Sequence, residues 1–231
     1  MIDASSFATN HNAFWADYAP TSEHFVRRVN LAYSKRWDVP LAKPEQQIRA
    51  AFVSEIAFAR LCGRQRRAPP NTSPLDSIEE AKAKLLPILE NPTVLEGEIS
   101  DVELNQINGL EKRLVSFFRP EIVENIVRPI FSGCGYIDSS EGDIINDGRL
   151  FEIKAVDRPF RSSDIRQLIT YCALNHLSNQ YDIKRIGVFN PRRGVYFSLP
   201  VRVVSREISG QTEQELFDNI VNAVSSGDIS R

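Results

Sequence analysis

Cysteine is scarce in this chain of 231 residues, and long apolar runs are missing altogether. The three cysteines, Cys62, Cys134 and Cys172, are far apart and odd in number. That argues against a disulfide framework and for a reducing, cytoplasmic setting. No Cys-x-x-Cys and no His/Cys pair at zinc spacing occurs, and His11, His24 and His176 are scattered, so a structural zinc site is not expected. No stretch of about 18 apolar residues exists to cross a membrane. Residues 1–13 are polar and lack the apolar stretch of a secretory signal. Internal repeats and low-complexity tracts are also absent, which sets aside solenoids and disordered linkers.

What is present is the composition of a globular protein, 42% hydrophobic and 25% charged. The net charge of −2 says little, but its distribution says more. Residues 1–70 carry +4, residues 71–148 carry −9, residues 149–206 carry +7 and residues 207–231 carry −4. A basic block following an acidic one can mark a face that binds a polyanion.

Apolar spacing divides the chain into a helical region over residues 1–119 and a sheet-bearing region over residues 120–231. Thr21 or Ser22 is a candidate cap for a helix reaching about Arg36, and Pro44 for a second that stops near Gly63. Residues 64–74 form a basic, proline-rich loop, and helices are expected over 75–90 and 101–118. After Pro120 short apolar runs alternate with turn signals. Strands are expected over 128–137, where Gly133 and Gly135 imply a bulge or a tight bend, and over 142–146, 149–156, 185–190 and 194–199, with helices over 163–174 and 212–224. This order predicts an α/β fold, a mixed β-sheet flanked by helices.

Chemistry concentrates in Asp143-Ile144-Ile145-Asn146-Asp147-Gly148-Arg149-Leu150-Phe151-Glu152-Ile153-Lys154. Asp147-Gly148 is a strong signal for a two-residue type I′ hairpin. With that turn, Asn146 faces Arg149, Ile145 faces Leu150, Ile144 faces Phe151, and Asp143 comes opposite Glu152. Two carboxylates on adjacent strands repel unless one is protonated or a cation lies between them. Oxygen ligands of this kind suit Mg²⁺ or Mn²⁺. Lys154, two residues after Glu152, shares its face of the strand.

Asp143 followed by Glu152-Ile153-Lys154 resembles the motif of the PD-(D/E)XK nuclease superfamily, with Gly142 at the place of the name-giving proline. Gln167 and Tyr171, four apart on the next helix, resemble the Gln-x-x-x-Tyr signature of its RecB-like and lambda-exonuclease-like branch. The resemblance spans about residues 120–200. It implies a restriction-endonuclease-like core and a Mg²⁺- or Mn²⁺-dependent deoxyribonuclease, in phage defence, restriction or DNA repair. Asp143, Glu152 and the Ile153 carbonyl would bind metal. Lys154 would position water or stabilise charge, Gln167 would order the site, and Tyr171 could approach the nucleic acid. DNA is the expected partner, with RNA open, and the helical region could bind a protein partner or a second copy. Many family members add a helical acidic residue, for which Glu103, Glu111, Glu121 and Glu124 are equal candidates. Arg158, Arg161 and Arg166, around the start of the Gln/Tyr helix, are candidate phosphate contacts, with Arg64 to Arg67 and Arg192-Arg193 weaker ones. The competing expectation is an inactive nucleic-acid-binding or protein-interaction subunit that keeps the fold.

Overall fold

The Asp147-Gly148 turn sets the geometry of the sheet. In the computed structural model, which describes residues 1–65 and 74–227, Asp147 and Gly148 have φ of 50° and 68°. That is the left-handed pair a type I′ turn requires. The flanking strands pair antiparallel in the register expected from the sequence, Asn146 with Arg149, Ile145 with Leu150 and Ile144 with Phe151.

The chain divides into two compact units. The first comprises residues 1–38, 126–190 and 195–231, and the second residues 39–125 and 191–194. The break expected after residue 119 is therefore close to the one at 125/126, but residues 1–38 belong with the sheet and not with the helices.

The strands are β1 (Lys35–Arg36), β2 (Asn125–Val127, its first residue the last of the second unit), β3 (Ile130–Phe131), β4 (Ser140–Glu141), β5 (Ile144–Asn146), β6 (Arg149–Ile153), β7 (Arg185–Asn190) and β8 (Val195–Pro200). Six of them form one mixed sheet in the order β1-β8-β7-β6-β5-β2, and β3 and β4 pair separately. Strands β6 and β7 run parallel, and the pairs β1–β8, β3–β4, β5–β6 and β7–β8 are antiparallel. A parallel pair needs a long crossover, and here a 17-residue helix, Ser162–Ser178, supplies it.

Among the described residues the first unit also has the α-helices α1 (Ala4–Asn10), α2 (Asn12–Tyr18), α3 (Ser22–Arg28), α8 (Val201–Ser209) and α9 (Glu213–Ser226). The crossover helix is α7, and α4 to α6 belong to the second unit. Helix α7 carries Ile165, Leu168, Ile169 and Cys172 into a core with Leu150, Ile186, Val188 and Phe197 from the sheet. Helices α1, α3 and α9 pack against α7, so it is buried almost all round from Ser162 to Leu174.

Several expectations are corrected. Residues 128–137 do not form one strand. Arg128 has φ 52°, Pro129 cannot donate to a ladder, and the Cys134 amide turns back to the Ile137 carbonyl at 2.9 Å. The helix expected to reach Arg36 ends as a π-helical turn, Val29–Tyr33, and the chain then becomes edge strand β1. Helix α8 was not expected, and α1 and α2, though inside the region read as helical, were not placed individually. Residues 142–146 yield only β5, separated from β4 by Gly142 and Asp143.

The second unit contains α4 (Ala50–Gln65), α5 (Pro74–Leu85) and α6 (Asp101–Phe118). Helix α6 begins with a capping box, in which Ser100 and Glu103 satisfy each other's backbone N–H. Helix α4 starts at Ala50, not at Pro44. The loop expected over 64–74 lies largely outside the described residues. The Glu103 carboxylate also takes the Arg49 guanidinium at 2.6 and 2.8 Å. This pairing with Arg49 outweighs burial and holds its pKa at about 2, against 4.5 for an ordinary glutamate. A carboxyl with a depressed folded pKa stabilises above its unfolded value and loses that contribution as pH falls through the folded one. Glu103→Gln should thus lower unfolding stability at pH 7 by about 1–2 kcal/mol, since solvent around the pair screens part of the full shift. The gap from the unaltered chain should close between about pH 4.5 and pH 2. Urea unfolding at several pH values measures this, and a gap that does not depend on pH would contradict it.

Candidate active site

At the C-terminal end of β6 three polar side chains meet where an apolar core would otherwise continue. Leu150, Glu152 and Lys154 occupy one face of the strand, and Leu150 is packed in the core. Glu152 is only 5% exposed. A carboxylate so placed needs partners, because an unpaired buried charge costs several kcal/mol.

Glu152 finds two of them through one oxygen. Its Oε1 accepts from Lys154 Nζ at 2.9 Å and from Gln167 Nε2 at 2.9 Å. The Gln167 carbonyl oxygen accepts a second proton from Lys154 Nζ, also at 2.9 Å. Lysine, glutamate and glutamine thus close a triangle. Its other carboxylate oxygen, Oε2, is buried and has no hydrogen-bond partner. Buried carboxylate oxygens are normally satisfied.

Asp143 lies one residue before β5. Its Oδ2 accepts from the Ile153 backbone N–H at 2.6 Å, and its carbonyl accepts from the Arg128 N–H at 2.9 Å. The ladder therefore ends at Ile144 and Phe151. Beyond it the side chain of Asp143 reaches across to β6 at the residue after Glu152. The two acidic residues and Lys154 are brought to one end of one sheet. Gly142 has a local reason for not being proline. Its N–H donates to the Pro129 carbonyl at 2.9 Å, and a Cβ there would come 3.0 Å from the Phe131 ring and 3.4 Å from Pro129.

Gln167 and Tyr171 face the site from α7, one turn apart. Gln167 Nε2 donates to the Tyr171 hydroxyl at 2.8 Å, and that hydroxyl donates to the Glu141 carbonyl at 2.8 Å. Tyr171 is 2% exposed and stacks on Phe131, with ring centroids 5.0 Å apart. The expectation that it approaches nucleic acid is therefore corrected: it anchors the segment that carries Asp143. Burial first, and then the charge of Glu152, raises the Tyr171 pKa well above the usual tyrosine value, so the phenol stays a donor. Burial alone would lower the Lys154 pKa, but Glu152, Asp164 and Asp143 outweigh it and raise it above the ordinary lysine value. Lys154 is a cation at neutral pH.

The three arginines are not equivalent. Arg158 makes a bidentate pair with the buried Asp164 at 2.8 and 3.0 Å. Arg166 is itself buried, and donates to Asn12 at 3.0 Å and to Ser22 at 3.2 and 3.3 Å. Both guanidiniums are used within the fold. Arg161 is exposed, and its backbone alone is engaged: its N–H donates to Asp164 Oδ2 at 2.9 Å and its carbonyl accepts from the Asp164 N–H at 3.1 Å. Among the weaker candidates Arg64 pairs with Glu111 and Arg192 donates to Gln106. Of the candidate helical glutamates, Glu103 and Glu111 are each held in ion pairs of the second unit.

Among the described residues no three His, Cys, Asp or Glu side chains gather as a metal-holding group. The site offers two carboxylates and the backbone after Glu152. No protein-family model matches the chain, and no curated protein matches it either.

Gln167 supports both Glu152 and Lys154, so Gln167→Leu should remove three hydrogen bonds at near-constant volume and leave buried charge less satisfied. Stability should fall by about 2–3 kcal/mol, read as a lower urea midpoint. A midpoint equal to that of the unaltered chain would show that the triangle is not a structural unit.

Proposed function

We propose that the chain is a divalent-cation-dependent nuclease that hydrolyses phosphodiester bonds of DNA, with Asp143, Glu152 and Lys154 as its reactive group. The observation that carries this reading is Glu152 Oε2, a buried carboxylate oxygen without a partner, on the end of the sheet that also carries Asp143. Mg²⁺ or Mn²⁺ coordinated there would supply what the oxygen lacks. The donor set fits a hard cation: two carboxylates and, by the resemblance, the Ile153 carbonyl, leaving positions for water and a phosphate oxygen.

Such an ion, when bound, lowers the pKa of coordinated water and neutralises phosphate charge. The chain's own residues would do the rest. Asp143 is held by the Ile153 N–H, so its carboxylate is oriented before any ligand arrives. Lys154 brings a fixed positive charge beside the place where charge builds on the phosphorane oxygens. Gln167 holds Lys154 and Glu152 in one geometry. Phosphodiester hydrolysis depends mostly on such positioning. A role in phage defence, restriction or repair goes with the resemblance, and action in the cytoplasm goes with the three unpaired cysteines.

Linear and circular DNA incubated with Mg²⁺ or Mn²⁺ should be degraded, and EDTA should abolish the cutting. Lys154→Ala should suppress it by at least about a hundredfold, or roughly 3 kcal/mol, in a protein whose far-UV spectrum is unchanged. Millimolar Mn²⁺ should also raise the melting temperature of the unaltered chain and leave that of Glu152→Gln unmoved. Absence of both cutting and ion-dependent stabilisation would overturn the reading.

A further inference from the structure

Resting on the nuclease reading, we propose that Arg36, at the far edge of the sheet, binds the DNA backbone a few nucleotides from the scissile phosphate, with Arg161 on a segment that crosses the same face.

The register across the sheet places it there. Ile153 pairs with Phe189, Asn190 with Val195, and Val195 with Arg36. Continuing β6 by one residue gives the row Lys154, Asn190, Val195, Arg36, and the Lys154 N–H follows it by donating to the Phe189 carbonyl at 2.9 Å. Residues of one row point to the same side of a sheet, and neighbours along a strand alternate. Arg36 thus shares the face of Lys154 and Glu152, whereas Lys35 faces the other way. Three strand spacings separate Arg36 from Lys154, or about 14 Å. That is roughly four steps of duplex at 3.4 Å per step.

Arg161 belongs to a segment that crosses the same face. Its neighbour Phe160 packs edge-on against Phe197, with centroids 5.4 Å apart, and Phe197 belongs to the row of Glu152 and Val188. Phe160 is also tied to Asn30, whose amide donates to the Phe160 carbonyl at 2.9 Å and accepts from its N–H at 3.1 Å. Asn30 sits in the π-helical turn that delivers β1. Irregular turns of that kind occur often at functional sites.

Both arginines are exposed. Neither guanidinium has an ion-pair or hydrogen-bond partner among the described residues. Arg158 and Arg166, on the same side of the molecule, are each paired within the fold. Among the described residues Arg36 and Arg161 are thus unpaired cations near this end of the sheet, and a row of them leading from the site suits a phosphate backbone.

The dipeptide Lys35-Arg36 provides its own control, since both residues are exposed and of like charge. Binding of a fluorescent 20-base-pair DNA is measured in EDTA, where no cutting occurs, at several salt concentrations. Arg36→Ala should weaken binding roughly tenfold at low salt and reduce the slope of log affinity against log salt by about one, equally for unrelated sequences. Arg36→Lys should restore most of the loss, and Lys35→Ala should change affinity by less than about threefold. If Arg36→Ala binds like the unaltered chain while that chain still cuts DNA with Mg²⁺, the track is overturned and the nuclease reading stands. Equal losses in Lys35→Ala and Arg36→Ala would overturn the facial assignment. An unaltered chain that neither binds nor cuts would overturn both.

Discussion

A single primary amide, that of Gln167, ties the candidate site together. Its oxygen accepts from Lys154, and its nitrogen donates to Glu152 and to Tyr171. A charged pair on a buried strand is marginal on its own, since desolvation can exceed the Coulombic gain. Both charges become tolerable when each has a further hydrogen bond, and the amide is the one neutral group that serves both. Helix α7 must therefore pack with Gln167 over the end of β6, and the long crossover between parallel β6 and β7 is what brings it there. Tyr171 extends the same network to Glu141, and so to the backbone that carries Asp143.

This arrangement satisfies everything in it but one atom. Glu152 Oε1 has two donors and Oε2 has none. An asymmetry of that kind is unstable as a purely structural device, because folding alone would favour a glutamine or an apolar residue at position 152. It is economical if the atom is kept for a ligand. The direct contact of Lys154 with Glu152 fits the same view, with the lysine already placed where negative charge would build.

The hairpin was legible in the sequence because its turn chemistry is local. Asp-Gly demands one turn type, and the turn fixes the register of every pair beyond it. Helix 101–118, strand 185–190 and the helix of Gln167 were legible through apolar spacing and turn signals. Residues 128–137 were not, because a left-handed Arg128, a proline and a returning Cys134 amide break a run that its composition alone favours as strand. Helices α1 and α2 are seven residues each, too short for a periodic signal, and depend on packing within the first unit. The candidate site was legible as residue types on one face. The burial of Tyr171 and the internal pairing of Arg158 and Arg166 were not. The first and last follow from Phe131, Asn12 and Ser22, which are remote in the linear order, and Asp164, though only six residues after Arg158, carries no signal in sequence that it is that arginine's partner.

The central claim is that Glu152 Oε2 and the Asp143 carboxylate share a divalent ion. Anomalous diffraction from a crystal soaked in Mn²⁺ tests it most directly. The account predicts a manganese peak between the two carboxylates, about 2.0–2.3 Å from Oε2. A soaked crystal with no peak there, and with Glu152 still unpartnered at that oxygen, would contradict it.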